Sequence, residues 1–196
     1  AGSEVILEGY IEPRVRKIEG PFGEFPGSVS GARRQLEAKI THVTYRTNPI
    51  FESRYIGMPW TECDYLVALN TSVPLFKQIQ KDMPEVVAVN AMYTHGMTEI
   101  ISMKPRNGGQ AATAAFRIMS TPHGAQYEHN VIIDDDFVDP FDLNQVMWAL
   151  STRVRPDKDV KVIPNCPGMT LNPTEEIPGI TAKLVIDATT PFDPEP

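Results

Sequence analysis

Apolar and β-branched residues crowd the opening stretch SEVILEGYI without the spacing of a helix face, so a strand is predicted from Glu4 to Ile11. A strand that starts with no turn or cap before it implies that the chain begins inside a larger fold. Residues 12–36 are rich in Gly and Pro and read as one long loop, a class that is usually functional when it interrupts a compact domain. EAKITHVTYRT then alternates as a second strand, Glu37 to Arg46. After the Pro-rich segment 47–59 the pattern changes to alternating helices and strands, which marks a domain boundary.

Thr61 is placed to cap a helix running to Leu69, with Asp64 three residues on, and Ser72 to start a second helix running to Lys81. EVVAVNAMY and TEIISMK read as strands either side of the turn THG, and GGQAATAAFRIMS as an Ala-rich helix after a glycine pair. HNVIIDD reads as a buried strand. Asp139, followed by Pro140 and an acidic first turn, predicts a capped helix ending near Ser151, with Trp148 on its buried apolar face. DVKVIP and AKLVIDA close the pattern. The fold class is therefore α/β, of the α+β kind: terminal strands of one β-structure, followed by a layered α/β domain over 61–190. No internal repeat is seen.

The 196 residues carry a formal charge of −7 with no basic run, which argues against a nucleic-acid partner, because such affinity rests on clustered Lys and Arg. Cys63 and Cys166 are far apart and form neither a disulfide framework nor a zinc site, so a reducing cytoplasm is expected. No apolar run is long enough for a membrane helix, and the start is too short and acidic for a signal peptide. The 18 prolines imply many stiff, ordered loops.

The most informative segment is EGPFGEFPG, in which Glu19 and Glu24 are separated by two glycines and a proline. The glycines permit backbone geometries that bring both carboxylates to one side, and Phe22, Phe25 and Pro26 supply apolar walls. Desolvation and a like charge both favour a protonated carboxyl, the requirement for a general acid near neutral pH. The plainer reading is a turn with two exposed glutamates.

EGPFGEFPG, followed by ITHVTYRTNPIFES and later MWALSTRVRP and NCPGM, resembles the UbiD superfamily of decarboxylases over nearly the whole chain. The likeness is to its hydroxyarylic acid branch, the 4-hydroxybenzoate and vanillate decarboxylases. The resemblance implies reversible, non-oxidative loss of CO2 from an aromatic acid with prenylated FMN, in proteins longer than this chain, of which it covers the C-terminal part. It implies that Glu19 and Glu24 are two members of a Glu-Arg-Glu network, with Glu24 as proton donor. The arginine, and the residues that hold the cofactor phosphate with Mn2+ and K+, belong to the missing N-terminal portion. His123, in STPHG, resembles a position near the cofactor where some relatives carry lysine. Ile56 and Trp60, in YIGMPW, and Asn165, in PNCPG, resemble positions lining the substrate pocket, with Phe25 and Pro26 beside them. Some catechol-acid relatives carry histidine where this chain has Ile56 and Asn165, which argues against a catechol acid.

His42, His95 and His129 are dispersed and read as structural. The acidic run Asp134 to Asp136 lacks calcium-loop spacing and reads as a strand end before a capped helix. Gly108 and Gly109 read as a helix start rather than a phosphate cradle. The domains are expected to be 1–46, the end of a cofactor and active-site domain; 47–60, a connector; 61–190, an oligomerisation and pocket domain; and 191–196, a tail. The implied partners are an aromatic carboxylic acid, the N-terminal portion or a companion subunit, and further copies of the chain. The alternative function is a non-catalytic assembly module of such a complex. A carboxylate-paired hydrolase has no support beyond the two glutamates.

Overall fold

β1 (Val5–Glu19) and β2 (Arg33–Tyr45) form an antiparallel ribbon with Val5 opposite Tyr45 at one end and Glu19 opposite Arg33 at the other. This computed structural model describes residues 2–58, 61–93, 96–126, 130–135 and 137–191. The ribbon corrects the expected loop over 12–36. A bulge between Ile11 and Arg16, with Arg14 at φ 69°, takes up Pro13 so that pairing resumes beyond it, as bulges allow in strands that contain proline. Glu12 and Lys39 pair across the ribbon at 2.5 Å, and Arg46 pairs with Glu4 at 2.9 Å. Apolar side chains nevertheless stand exposed along both strands, among them Leu7, Tyr10, Ile11, Ile40 and Val43.

The chain divides into two units, Ala1–Thr61 and Glu62–Pro196. The second is built on a five-stranded sheet of β3 (Val86–Tyr93), β4 (Thr98–Met103), β5 (Asn130–Asp135), β6 (Val160–Pro167) and β7 (Ile180–Asp187), in the order β3-β4-β5-β7-β6. β4, β5 and β7 run parallel, and β3 and β6 pair antiparallel at the two edges. α1 (Glu62–Gln80) and α2 (Gln110–Met119) share one core with the sheet, where Leu75, Ile79 and Ile118 meet Ile101, Met103 and Val185. α4 (Leu143–Arg153) contributes to a second core, placing Val146 and Ala149 with Ile100, Ile132 and Ala188. α3 (Pro122–Gln126) and α5 (Pro156–Asp159) are short connecting turns. The fold is the mixed α+β class expected. Among the described residues no helix is long and apolar enough to cross a membrane.

Three local expectations are corrected. α1 is one helix rather than two: its buried positions Asp64, Ala68, Thr71, Ser72, Leu75 and Ile79 keep helical spacing straight through Ser72 and Pro74. Ser72 Oγ accepts a hydrogen bond from Ala91 N at 2.9 Å, which ties the helix to β3 at the point where its local sequence invites a break. The cap of α4 is Asp142, not Asp139: its carboxylate accepts from Asn144 N at 2.9 Å, and that bond holds the carboxyl below its ordinary range. Asp139 instead closes the preceding turn by accepting from Phe141 N at 2.9 Å. Trp148 is not core. It is 53% exposed, with the Arg153 guanidinium 4.8 Å above its ring, because the sheet takes the narrower Val146/Ala149 face.

Candidate active site

Glu19 ends β1 exposed, and Glu24 stands half-buried in the segment that folds back toward β2. That segment is a small hairpin of its own. Ser30 N donates to Phe22 O at 2.8 Å, Gly23 and Val29 form a bridge, and Glu24 N donates to Ser28 O at 3.0 Å. Gly27 N closes the tip onto Glu24 O at 3.0 Å. Gly27 sits at φ 79°, the left-handed position that a three-residue hairpin loop requires, and a Cβ there would collide with Met58 Sδ. Phe25 is buried beside Glu24, and Pro26 is partly buried. The backbone on both sides of Glu24 is thus hydrogen-bonded, and the next residue, Phe25, is buried.

Ile56 is exposed in the connector after β2. Trp60, His95 and His129 lie outside the described residues. Asn165 is exposed at a bulge between Ile163 and Cys166, at φ 58°, a conformation asparagine tolerates better than most residues. It borders a depression of about 480 Å3 lined also by Glu175, Ile177, Ile180 and Thr181. Glu175 Oε2 accepts from Gly179 N at 2.6 Å and so shapes the wall of that depression.

His123 lies in α3. Its ring packs on the turn before β4, where a Cβ added to Gly96 would meet Nε2 at 3.0 Å, and Gly96 holds φ 74°. Burial first, and the charge of Lys183 second, hold the imidazole below its ordinary range. Lys183 escapes a reading of the sequence because it alternates with apolar neighbours and so resembles a solvent-facing position.

The carboxyl ends of the parallel strands form a second crevice, of about 290 Å3, bordered by Gly108, Gly109, Arg153, Asp187 and Thr190. Arg153 is engaged there, donating to Asp135 Oδ2 at 2.8 Å and to Asp134 Oδ1 at 3.3 Å. Asp159 and Asp187 add further negative charge, so the crevice does not suit an anion. Among the described residues no group of three or more His, Cys, Asp or Glu is arranged to hold a metal.

The sequence profile of the 3-octaprenyl-4-hydroxybenzoate carboxy-lyase C-terminal domain matches residues 64–188, and that of the Rift-related domain of the same enzyme matches residues 1–59. The chain belongs to the UbiD family. A phenolic acid decarboxylase of Sedimentibacter hydroxybenzoicus is 67% identical over 196 residues, which are 100% of this chain and 41% of that protein. The chain thus spans about two fifths of the curated relatives it matches. The vanillic acid decarboxylase of the same organism, solved in open form with a truncated ShVdcD, superposes with a TM-score of 0.94 at 67% identity, over 100% of this chain and 42% of that one. The UbiD-class enzyme HmfF of Pelotomaculum thermopropionicum, solved in an evolved dimeric form with prFMN, superposes with a TM-score of 0.76 at 27% identity, over 98% of this chain and 41% of that one.

Proposed function

We propose that this chain is the C-terminal, acid-bearing part of a UbiD enzyme that removes CO2 reversibly and without oxidation from an aromatic, hydroxyaryl carboxylic acid. The observation that carries the proposal is the Glu24 hairpin: a half-buried glutamate followed by buried Phe25, on a backbone tied down at Phe22, Glu24 and Gly27. Relatives named phenolic acid decarboxylases support the reaction class. When the bond to the carboxylate carbon breaks, its electron pair stays on the substrate carbon. The Glu24 carboxyl then forms the new C–H bond by giving its proton, and the resulting carboxylate is reprotonated from water. In the reverse direction Glu24 removes that proton as CO2 adds. Glu19, at the end of β1, tunes and orients the acid. Phe25, Pro26, Ile56, Trp60 and Asn165 are the proposed aryl contacts, and His123 the proposed cofactor contact.

The family implies prenylated FMN with Mn2+ and K+. The described residues do not fit the holding of that group: they present no metal-binding cluster, and the one glycine-rich helix start borders an acidic crevice. Holding of the cofactor's phosphate and metals is therefore assigned to the portion of the protein outside this chain. The ribbon supports such a neighbour. Two strands with apolar side chains exposed on both faces are marginal in water and need further strands to cover them. The same exposure favours, as the second reading, a module whose role is assembly alone.

Glu24→Gln, made in the assembled enzyme, separates the two. Decarboxylation is expected to fall at least about a hundredfold, the scale for removal of a positioned acid, with substrate binding much less affected. Glu19→Gln is expected to slow turnover and alter its pH profile. Near-normal turnover by the Glu24 variant removes that residue from its role.

A further inference from the structure

We propose that Glu175 is a positioning residue, whose carboxylate locks the far end of the β6–β7 ladder and so fixes the bulge that presents Asn165. The inference rests on the reading of Asn165 as an aryl contact. Asn165 sits at φ 58°, a sparsely populated conformation that persists only where its surroundings impose it. On one side of the bulge Ile163 pairs with Lys183, and the ladder continues into the body of the sheet. On the other side only two pairs remain, Cys166 with Thr181 and Pro167 with Ile180, at the edge of the sheet. Pro167 has no N–H to give, so its own hydrogen bonds hold that short end poorly.

Gly179 completes that end. Its carbonyl accepts from Gly168 N at 3.0 Å, and its own N–H goes to Glu175 Oε2 at 2.6 Å, a short bond of the kind a charged acceptor makes. The rest of the 168–179 loop is a run of local turns: Asn172 N donates to Met169 O, Glu175 N to Asn172 O and Ile180 N to Ile177 O. The Glu175 side chain instead reaches from the middle of the loop back to the strand ends. Its Oε1 is shut off from solvent, with no donor in reach among the described residues, and fills the space where a Gly168 side chain would stand; a Cβ there would collide with it. Burying a carboxylate oxygen without a donor costs stability, and a neutral side chain can close a turn without that cost, as Asn172 does in accepting from Thr174 N at 3.1 Å. The carboxylate and the glycine thus form one joint, and Glu175 and Asn165 border the same depression.

The test is steady-state kinetics of the assembled enzyme with vanillate or 4-hydroxybenzoate, joined to hydrogen exchange of segments 163–168 and 176–181. Glu175→Ala is expected to raise KM at least about fivefold with kcat changed less than about twofold, the pattern of lost binding rather than lost chemistry, and to speed exchange in both segments. Glu175→Gln keeps an oxygen for Gly179 N and is expected to hold KM within about twofold of the unsubstituted enzyme. Gly168→Ala leaves position 175 intact but drives its carboxylate from the joint and crowds Thr181, so it is expected to raise KM as well. The double variant Gly168→Ala/Glu175→Ala should be no worse than Gly168→Ala alone, because both changes act on one joint. Unaltered exchange in 163–168 overturns the proposal, as does a Glu175→Gln enzyme as impaired as Glu175→Ala, or effects of the two alanine changes that multiply. Should Glu175→Ala not fold, Gly168→Ala decides: faster exchange in 163–168 supports the role, and unaltered exchange overturns it. Where Asn165→Ala raises KM, an unchanged KM in folded Glu175→Ala also overturns it. Where Asn165→Ala leaves KM unchanged but exchange speeds as expected, the reading of Asn165 as an aryl contact fails and the hold of Glu175 on the bulge stands.

Discussion

Asp134, near the end of β5, is fully buried, and replacing it by asparagine is expected to stabilise the protein at neutral pH rather than weaken it. Its Oδ1 accepts from Asp135 N at 2.8 Å and from Arg153 at 3.3 Å, while among the described residues no donor reaches Oδ2. Burial is the dominant influence. The bond from Asp135 N and the Arg153 charge oppose it, the Asp135 and Asp187 charges add to it, and the carboxyl is pushed up from 3.8 to about 6. That rise corresponds to about 3 kcal/mol. The folded state holds this proton more tightly than the unfolded chain. The contribution is therefore fully present below about pH 3.8 and is lost as pH rises through about 6. An asparagine side chain at this position has no charge to bury and retains an oxygen for Asp135 N. Arg153 keeps its closer partner, Asp135 Oδ2 at 2.8 Å, so the lost contact costs about 1 kcal/mol. The net gain expected for Asp134→Asn at pH 8 is about 1–2 kcal/mol, shrinking and reversing toward pH 4. Urea unfolding of both proteins at several values between pH 4 and 8, followed by circular dichroism, measures the difference. Parallel stability curves, with the variant weaker by the same margin throughout, refute the argument.

Gly27→Ala is expected to cost about 1–2 kcal/mol from the left-handed backbone and to slow turnover by moving Glu24. Because Met58 is exposed and can swing away, adding Met58→Ala should not restore the rate, as paired kinetic and thermal measurements will show. Trp148→Ala should cost less than about 1 kcal/mol, since only an exposed ring and its Arg153 contact are lost. Val146→Ala, on the opposite side of the same helix, should cost about 1–3 kcal/mol in the same urea assay, because it opens a gap in the core under α4.

Much of the second unit could be read from its one-dimensional pattern. The Ala-rich run of α2 and the strands β3, β4 and β7 express local preferences that the tertiary structure leaves in place. The resemblance carried by EGPFGEFPG led to the same family as the matched domains. Elsewhere, neighbours distant in the chain prevailed. Pairing with β2 carries β1 past Pro13, where the isolated segment reads as a loop. Burial against β3 carries α1 through Ser72 and Pro74, where local propensity says stop. At α4 both helix faces carry apolar residues, and it took the close approach of the sheet to choose Val146 and Ala149 over Trp148.

Lys183 marks the boundary between the two kinds of information. In AKLVIDA, alternation puts Lys183 and Val185 on one face and Leu184 and Ile186 on the other, and a strand wet on one side would leave the lysine in water. β7 lies between β5 and β6 in a sheet with helices on both faces, so both sets are covered and alternation no longer distinguishes inside from outside. Which residues share a face of that strand follows from the order of residues alone, because the pleat alternates whatever packs on it. That the charged face is dry, with Lys183 held against the turn that carries His123, follows from the packing of α1, α2 and α3 above it, elements that no local pattern in AKLVIDA encodes.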